Sequence, residues 1–342
     1  MKTDDEMSAC IQQMEQAPAF KHLQQELQEG LSLYWQTAGR ILKRCGVTLT
    51  APTEAAFSFR KNFFSLLFMY SYMHAGIPRP RRILYGTILQ CLRGMVTGCD
   101  NLLDDEYKPT LETDIPGSGH RFRSVVDIMV SDRVLFRILL KTALQQEISE
   151  NQVMAASTAS MKTMTRSGIE EAGEEAGISG ILEPEAILQT IHHFKTGLLF
   201  QCPWDVPLTI EAVAEKKLNL LLDGLYNIGL GCQIMDDMVD MAADIKARKH
   251  NYVVSLVHHG ASQLEKEQLT KTMTPDHMDY PGAGLISCFP VAARQALQTS
   301  HRLLTSGLSA LFAEEDQALA PPAIRFLEKR IGVDPLVNGV IE

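Results

Sequence analysis

An all-α fold is predicted for this 342-residue chain from three observations. Its long segments carry apolar residues at intervals of three and four, the period of one helical face. The breaks between them are short and built from Pro, Gly or polar residues. No stretch keeps up the strict alternation that a half-buried strand requires. No internal repeat, low-complexity tract or dividing linker is present. The expected organisation is therefore one domain over residues 1–342, with 1–18 a flexible N-terminus.

Taken in order, residues 20–44 place Leu23, Leu27, Leu31, Tyr34 and Ile41 close to one face. The segments 59–75, 81–103, 122–146, 185–201, 211–245 and 291–312 follow the same rule. GIPRP, KPTLETDIPGSG, GEEAGISG, CPWDVP and TPDHMDYPGAG separate them, where Pro and Gly end a helix. The acidic, glycine-bearing stretch SGIEEAGEEAGISG (167–180) reads as a mobile loop.

At 45% hydrophobic and 21% charged, the composition suits a soluble protein with a substantial core. A net charge of −9 and a pI near 5.6 exclude the basic stripe of a nucleic-acid-binding surface. The seven cysteines form no CxxC pair and the first residues lack a signal-peptide pattern, so reduced core thiols in a cytoplasmic protein are expected. The longest apolar run, FFSLLFMYSYM, is too short to cross a bilayer.

Two acidic arrays carry the chemistry. In GCDNLLDDEYKPT, Asp100 and Asp104 project from one face, one turn apart. In GLGCQIMDDMVDMAADIK, Asp236, Asp240 and Asp244 stand at i, i+4 and i+8, with Asp237 beside the first. Carboxylates so placed repel one another unless a cation lies between them. One such run is ordinarily a solvated helix end, but two in apolar surroundings are not. Hard oxygen ligands suit Mg²⁺, which keeps other positions for water or phosphate. Arrays facing each other across a bundle could hold several Mg²⁺ ions, and these could grip a diphosphate and stabilise it as a leaving group.

These residues resemble the trans-isoprenyl diphosphate synthase (polyprenyl synthetase) family of the class I isoprenoid synthases. QIMDDMVD resembles the family's FQxxDDxxD, with Asp236, Asp237 and Asp240 in the motif, Gln233 before it and Asp244 at an acidic position after it. DNLLD resembles its first DDxxD, with Asn101 for the second Asp. HHFKTGLLF resembles its KT motif, and VDIMVSDRVL its AILxGDxLL, with Ser131 for the glycine. FSFRKNFFSLL stands where the family has GKRxRP. The resemblance implies a bundle around an apolar cavity, a homodimer, and Mg²⁺, three ions in number. It implies Asp100, Asp104, Asp236, Asp237 and Asp240 as metal ligands and Lys195, Thr196 and Gln233 as catalytic residues. Arg60, Lys61, Arg93, Lys195 and Lys249 become the diphosphate-binding cations, and Met95 and Val96 part of the cavity floor.

The departures fall on the acceptor side. The family's Arg-Arg pair after the first motif is replaced by EYKPTLE, and the glycine, lysine and proline of GKRxRP are missing. Arg79, Arg81 and Arg82 could compensate or form a solvated basic turn. Three functions follow, in this order: a prenyltransferase adding isopentenyl diphosphate to an allylic prenyl diphosphate; a terpene cyclase acting on one prenyl diphosphate; and a non-catalytic subunit of a prenyl synthase. No HExxH or ExxH motif supplies a zinc or di-iron site, and His192–His193 and His258–His259 read as helix-surface or core-edge residues.

Overall fold

The computed structural model describes residues 2–103, 107–273 and 282–333. It is 81% helical, with twelve helices and no strand among the described residues. The expected all-α class holds. In chain order the helices are α1 (Lys2–Gln16), α2 (Pro18–Arg44), α3 (Phe59–His74), α4 (Arg79–Leu103), α5 (His120–Leu144) and α6 (Glu150–Gly173). Helix α7 opens at Pro184–Ala186, passes into a π-helical stretch at Ile187–Gly197 and ends at Leu198–Gln201. Then come α8 (Glu215–Ala247), α9 (Tyr252–His259), α10 (Gln263–Thr272), α11 (Pro290–Leu311) and α12 (Ala320–Ile331).

Two readings from sequence change. Residues 2–16 are helical rather than a flexible terminus, and α1 buries Cys10 and Met14. The acidic stretch at 167–180 is helical up to Gly173, and Glu174 is buried. The thiols divide: Cys10, Cys91, Cys202 and Cys232 are buried as expected, while Cys45 and Cys99 are exposed.

The chain forms two compact units: Gln13–Met164 with Cys202–Asn219, and Met1–Gln12 with Thr165–Gln201 and Leu220–Glu342. The first contains α2–α5. Helix α2 buries the face read from its sequence, including Leu23, Leu27, Leu31 and Tyr34. Helices α4 and α5 approach closely because Gly94 and Gly98 leave room; a Cβ at Gly94 would lie 2.1 Å from Ser131 Oγ. Ser131 itself is buried and shares a 2.9 Å hydrogen bond with the Tyr34 hydroxyl, which satisfies its polar group.

The second unit contains α7 and α9–α12 with most of α8. Gly197 and Gly229 bring α7 against α8: a Cβ at Gly229 would meet the Thr196 carbonyl at 2.8 Å. Caps fix where the later helices begin. The Asn251 side chain accepts from the Val253 and Val254 N–H groups at the start of α9. The Ser262 hydroxyl does the same for Glu265 in α10. The buried Glu265 carboxylate in turn accepts from the N–H groups of Val291 and Ala292 at the start of α11.

Candidate active site

The residues singled out by sequence fall into two groups, one in each unit. In the α7–α12 unit, the face of α8 bearing the second motif is wired to α7. Thr196 donates to Gln233 Oε1 in a short hydrogen bond, and Gln233 Nε2 donates to Asp237 Oδ1 at 3.0 Å. Asp237 is 3% exposed. Its Oδ2 lies 3.0 Å from His192 Nε2 and accepts the Tyr252 N–H at 2.6 Å. Both oxygens of this carboxylate are therefore engaged by protein groups. Asp236 and Asp240, one turn apart on α8, are exposed.

The carboxylate after the motif behaves differently. Burial pushes Asp244 up to about 7, and the charges of Asp237 and Asp240 add to the rise. Asn251 Nδ2 opposes it by donating to Asp244 Oδ2 at 2.8 Å, and also holds the Asp237 carbonyl at 2.7 Å.

Lys195 is already paired. Its Nζ lies 2.7 Å from Glu174 Oε2 and 3.4 Å from Glu171 Oε1. Burial alone would lower its pKa, but these two glutamates carry it above the ordinary value. Glu174 is also held by the His250 N–H, directly after Lys249, whose own N–H bonds to the Asp244 carbonyl.

In the α2–α5 unit, Asp100 is exposed on the last turn of α4, and Asp104 lies outside the described residues. Asn101 is buried, and its side chain clamps Lys108 in both directions. Its Oδ1 accepts the Lys108 N–H at 2.9 Å, and its Nδ2 donates to the Lys108 carbonyl at 3.1 Å. A carboxylate could make only the first of these bonds, which accounts for Asn in place of Asp at this position. Arg93 reaches α3, donating to the Lys61 carbonyl and to Asn62 Oδ1, both at 3.4 Å. Burial, then the neighbouring Arg93 charge, lowers the Lys61 pKa. The structure thus brings Lys61 and Arg93 together, with Arg60 exposed one residue before Lys61.

The RPRR arginines are ion-paired inside this unit. Arg82 grips Glu26 at 2.6 and 2.8 Å, Arg79 pairs with Glu29 at 2.5 Å, and Arg81 lies 3.6 Å from Glu211. Arg123 donates to the Thr113 carbonyl at 2.7 Å and sits over the Tyr107 ring. Arg79 is exposed, as the solvated reading had it, whereas Arg81 and Arg82 are half-buried and held by carboxylates.

Sequence reasoning missed Glu171, Glu174, His192 and Asn251. The Glu171–Glu174 spacing was readable as a helical pair, and Asn251 before an apolar run is a helix-start signal. Nothing in the sequence marked His192 as the buried partner of Asp237.

Among the described residues, no three His, Cys, Asp or Glu side chains form a ready-made metal cage. Mg²⁺ does not need one: it is held by one or two carboxylates and completes its shell with water and phosphate oxygens. Asp236 and Asp240 are hard oxygen donors on the exposed face of α8, and the Asp237 carboxylate bonds to groups of α7, α8 and α9.

The order and packing of the helices define the fold of the trans-prenyl diphosphate synthases. The structure is similar to geranylgeranyl pyrophosphate synthase from Corynebacterium glutamicum, with a TM-score of 0.63 and 14% identity, covering 96% of this chain and 98% of that one. It is similar also to a decaprenyl diphosphate synthase from Rhodobacter capsulatus (TM-score 0.59, 15% identity, 91% of this chain and 99% of that one). A third similar structure is geranylgeranyl pyrophosphate synthetase from Pyrococcus horikoshii (TM-score 0.57, 16% identity, 96% and 99%). No family model and no curated protein matches the chain in sequence.

Proposed function

We propose that this protein is a Mg²⁺-dependent class I isoprenoid synthase that ionises an allylic prenyl diphosphate, and that it transfers the prenyl group to isopentenyl diphosphate. The observation that carries the reading is the hydrogen-bonded chain Thr196–Gln233–Asp237, which ties the KT segment to the acidic face of α8 with Lys195 alongside. Similarity of fold to prenyl diphosphate synthases supports it.

In this reading Asp236 and Asp240, with Asp100 and Asp104, hold the metal. When bound, Mg²⁺ neutralises the charge that develops on the departing diphosphate. Asp237 keeps its neighbours in register through His192, Gln233 and the Tyr252 N–H. Lys195 and Lys249 supply positive charge to the diphosphate. For Lys195 this requires exchanging Glu171 and Glu174 for phosphate oxygens. Arg60, Lys61 and Arg93 supply the charge for the second substrate. The homodimer finds support in α5, which exposes Phe122, Met129, Phe136, Leu140 and Leu144 along one face.

A second reading, a terpene cyclase taking one prenyl diphosphate, is favoured by the ion pairs that occupy Arg79, Arg81 and Arg82. The two differ in what captures the cation. The protein is incubated with Mg²⁺ and geranyl, farnesyl or geranylgeranyl diphosphate, with and without isopentenyl diphosphate. Prenyl transfer yields a longer diphosphate and consumes isopentenyl diphosphate. Hydrocarbon or alcohol without isopentenyl diphosphate, and no longer diphosphate, identifies the cyclase. No product from any substrate leaves the non-catalytic subunit.

A further inference from the structure

A cavity of about 690 Å³ opens between the second half of α2 and the end of α5, within one compact unit. Five cations line it: Arg40, Lys43 and Arg44 from α2, Arg137 and Lys141 from α5. No acidic residue lines it, in a protein whose net charge is −9. It shares no residue with the proposed reaction site, and the inference does not rest on that reaction.

The placement brings like charges together at the protein surface. Arg40 and Arg44 are one turn apart on α2, as are Arg137 and Lys141 on α5, and like charges at that spacing repel. In the same unit Arg79, Arg81 and Arg82 are each matched to a carboxylate. Here, none of the five enters an ion pair among the described residues. Arg40 is held instead by its own helix, donating to the Gln36 carbonyl at 3.2 Å and to Thr37 Oγ1 at 3.5 Å. The helix dipole accounts for Lys43, Arg44 and Lys141 in their last turns. It does not account for Arg40 and Arg137, or for the convergence of both helices on one cavity.

We propose that this cavity binds a phosphate or diphosphate group carried on a small molecule. A carboxylate's single charge does not call for five cations, whereas a multiply charged phosphate is matched by guanidinium forks and ammonium point charges together. The cavity is larger than the anion alone and lies in the size range of small-molecule sites. Leu33 and Ile138 give it an apolar wall for the rest of the ligand. A lipid headgroup could present the same phosphate chemistry.

The test titrates inorganic diphosphate into the full chain by calorimetry, in EDTA so that no metal-bridged binding contributes. Arg137→Glu/Lys141→Glu and the milder Arg137→Gln/Lys141→Gln are compared with wild type and with Lys195→Ala, after circular dichroism confirms their fold. Saturable binding that weakens at least about tenfold in the Arg137/Lys141 variants, but survives in Lys195→Ala, supports a soluble phosphorylated ligand. A parallel arm sediments the protein with phosphatidylglycerol/phosphatidylcholine vesicles. Vesicle binding without diphosphate binding, lost in the same variants, assigns the phosphate to a lipid headgroup. Binding of neither probe overturns the proposal, as does binding that the Arg137/Lys141 variants retain or that Lys195→Ala abolishes.

Discussion

Glu174 sets a nearly buried carboxylate against the lysine that the proposed reaction needs for its diphosphate. In that proposed role, Glu171 near the end of α6 and Glu174 just after it take the place of the anion. Glu174→Gln removes one charge while keeping an oxygen for the His250 N–H. Inorganic diphosphate should bind this variant several-fold more tightly than wild type, by titration calorimetry in Mg²⁺. Equal or weaker binding would show that the pair is purely structural. Asp127 tests electrostatics in the other unit. Burial pushes its pKa up to about 6, although the Thr110 N–H pulls against the rise. The folded chain thus holds this proton more tightly than the unfolded chain, whose carboxyl titrates near ~3.9. The stabilising contribution is present below pH ~4 and is lost as pH rises to about 6. At pH 7, Asp127→Asn should be more stable than wild type by about 1–3 kcal/mol, and the gap should close by pH ~4. Denaturant melts at the two pH values measure this, and equal stability at pH 7 would refute it.

Among the elements, α2–α5, α7, α8 and α11 were legible in the sequence, while α1, α6, α9, α10 and α12 were not. Helix α2 announced itself through Leu23, Leu27 and Leu31. Helix α6 did not, because only Val153, Ala156 and Ser160 are buried along its 24 residues, and its glycines and glutamates read as loop. Helices α9 and α10, of 8 and 10 residues, are too short for periodicity to stand out, and their Asn251 and Ser262 caps were the readable signal. At the site, the i, i+4 carboxylates were legible because spacing alone places them on a face. The engagement of Asp237 by His192 was not, since it depends on the packing of α7 against α8. The α4–α5 contact offers a direct test of a departure seen in the sequence, Ser131 where a glycine was expected. Gly94→Ala forces a methyl against Ser131 Oγ and should cost about 1–3 kcal/mol by thermal or denaturant unfolding. Adding Ser131→Gly should return most of that loss. If Gly94→Ala alone is neutral, the helices do not approach as described.

On the scale of the whole molecule, the chain is acidic, with a net charge of −9. The arginines beside α4's start are matched to glutamates, while the lining of the α2–α5 cavity is not. No helix among the described residues is long and apolar enough to cross a membrane. The all-α class was legible because the helical period recurs along most of the chain. The acceptor side was not, because whether an arginine is available for phosphate depends on distant partners such as Glu26 and Glu211. In the proposed function, Asp100 and Asp236 hold the metal that ionises an allylic diphosphate. The most direct measurement is Mg²⁺-dependent release of inorganic diphosphate from farnesyl and geranylgeranyl diphosphate, with isopentenyl diphosphate present, by wild type, Asp100→Ala and Asp236→Ala. Wild type should release diphosphate in a manner that EDTA abolishes, and each folded variant should lose release by orders of magnitude. Near-wild-type release by both variants with Mg²⁺ present would contradict it.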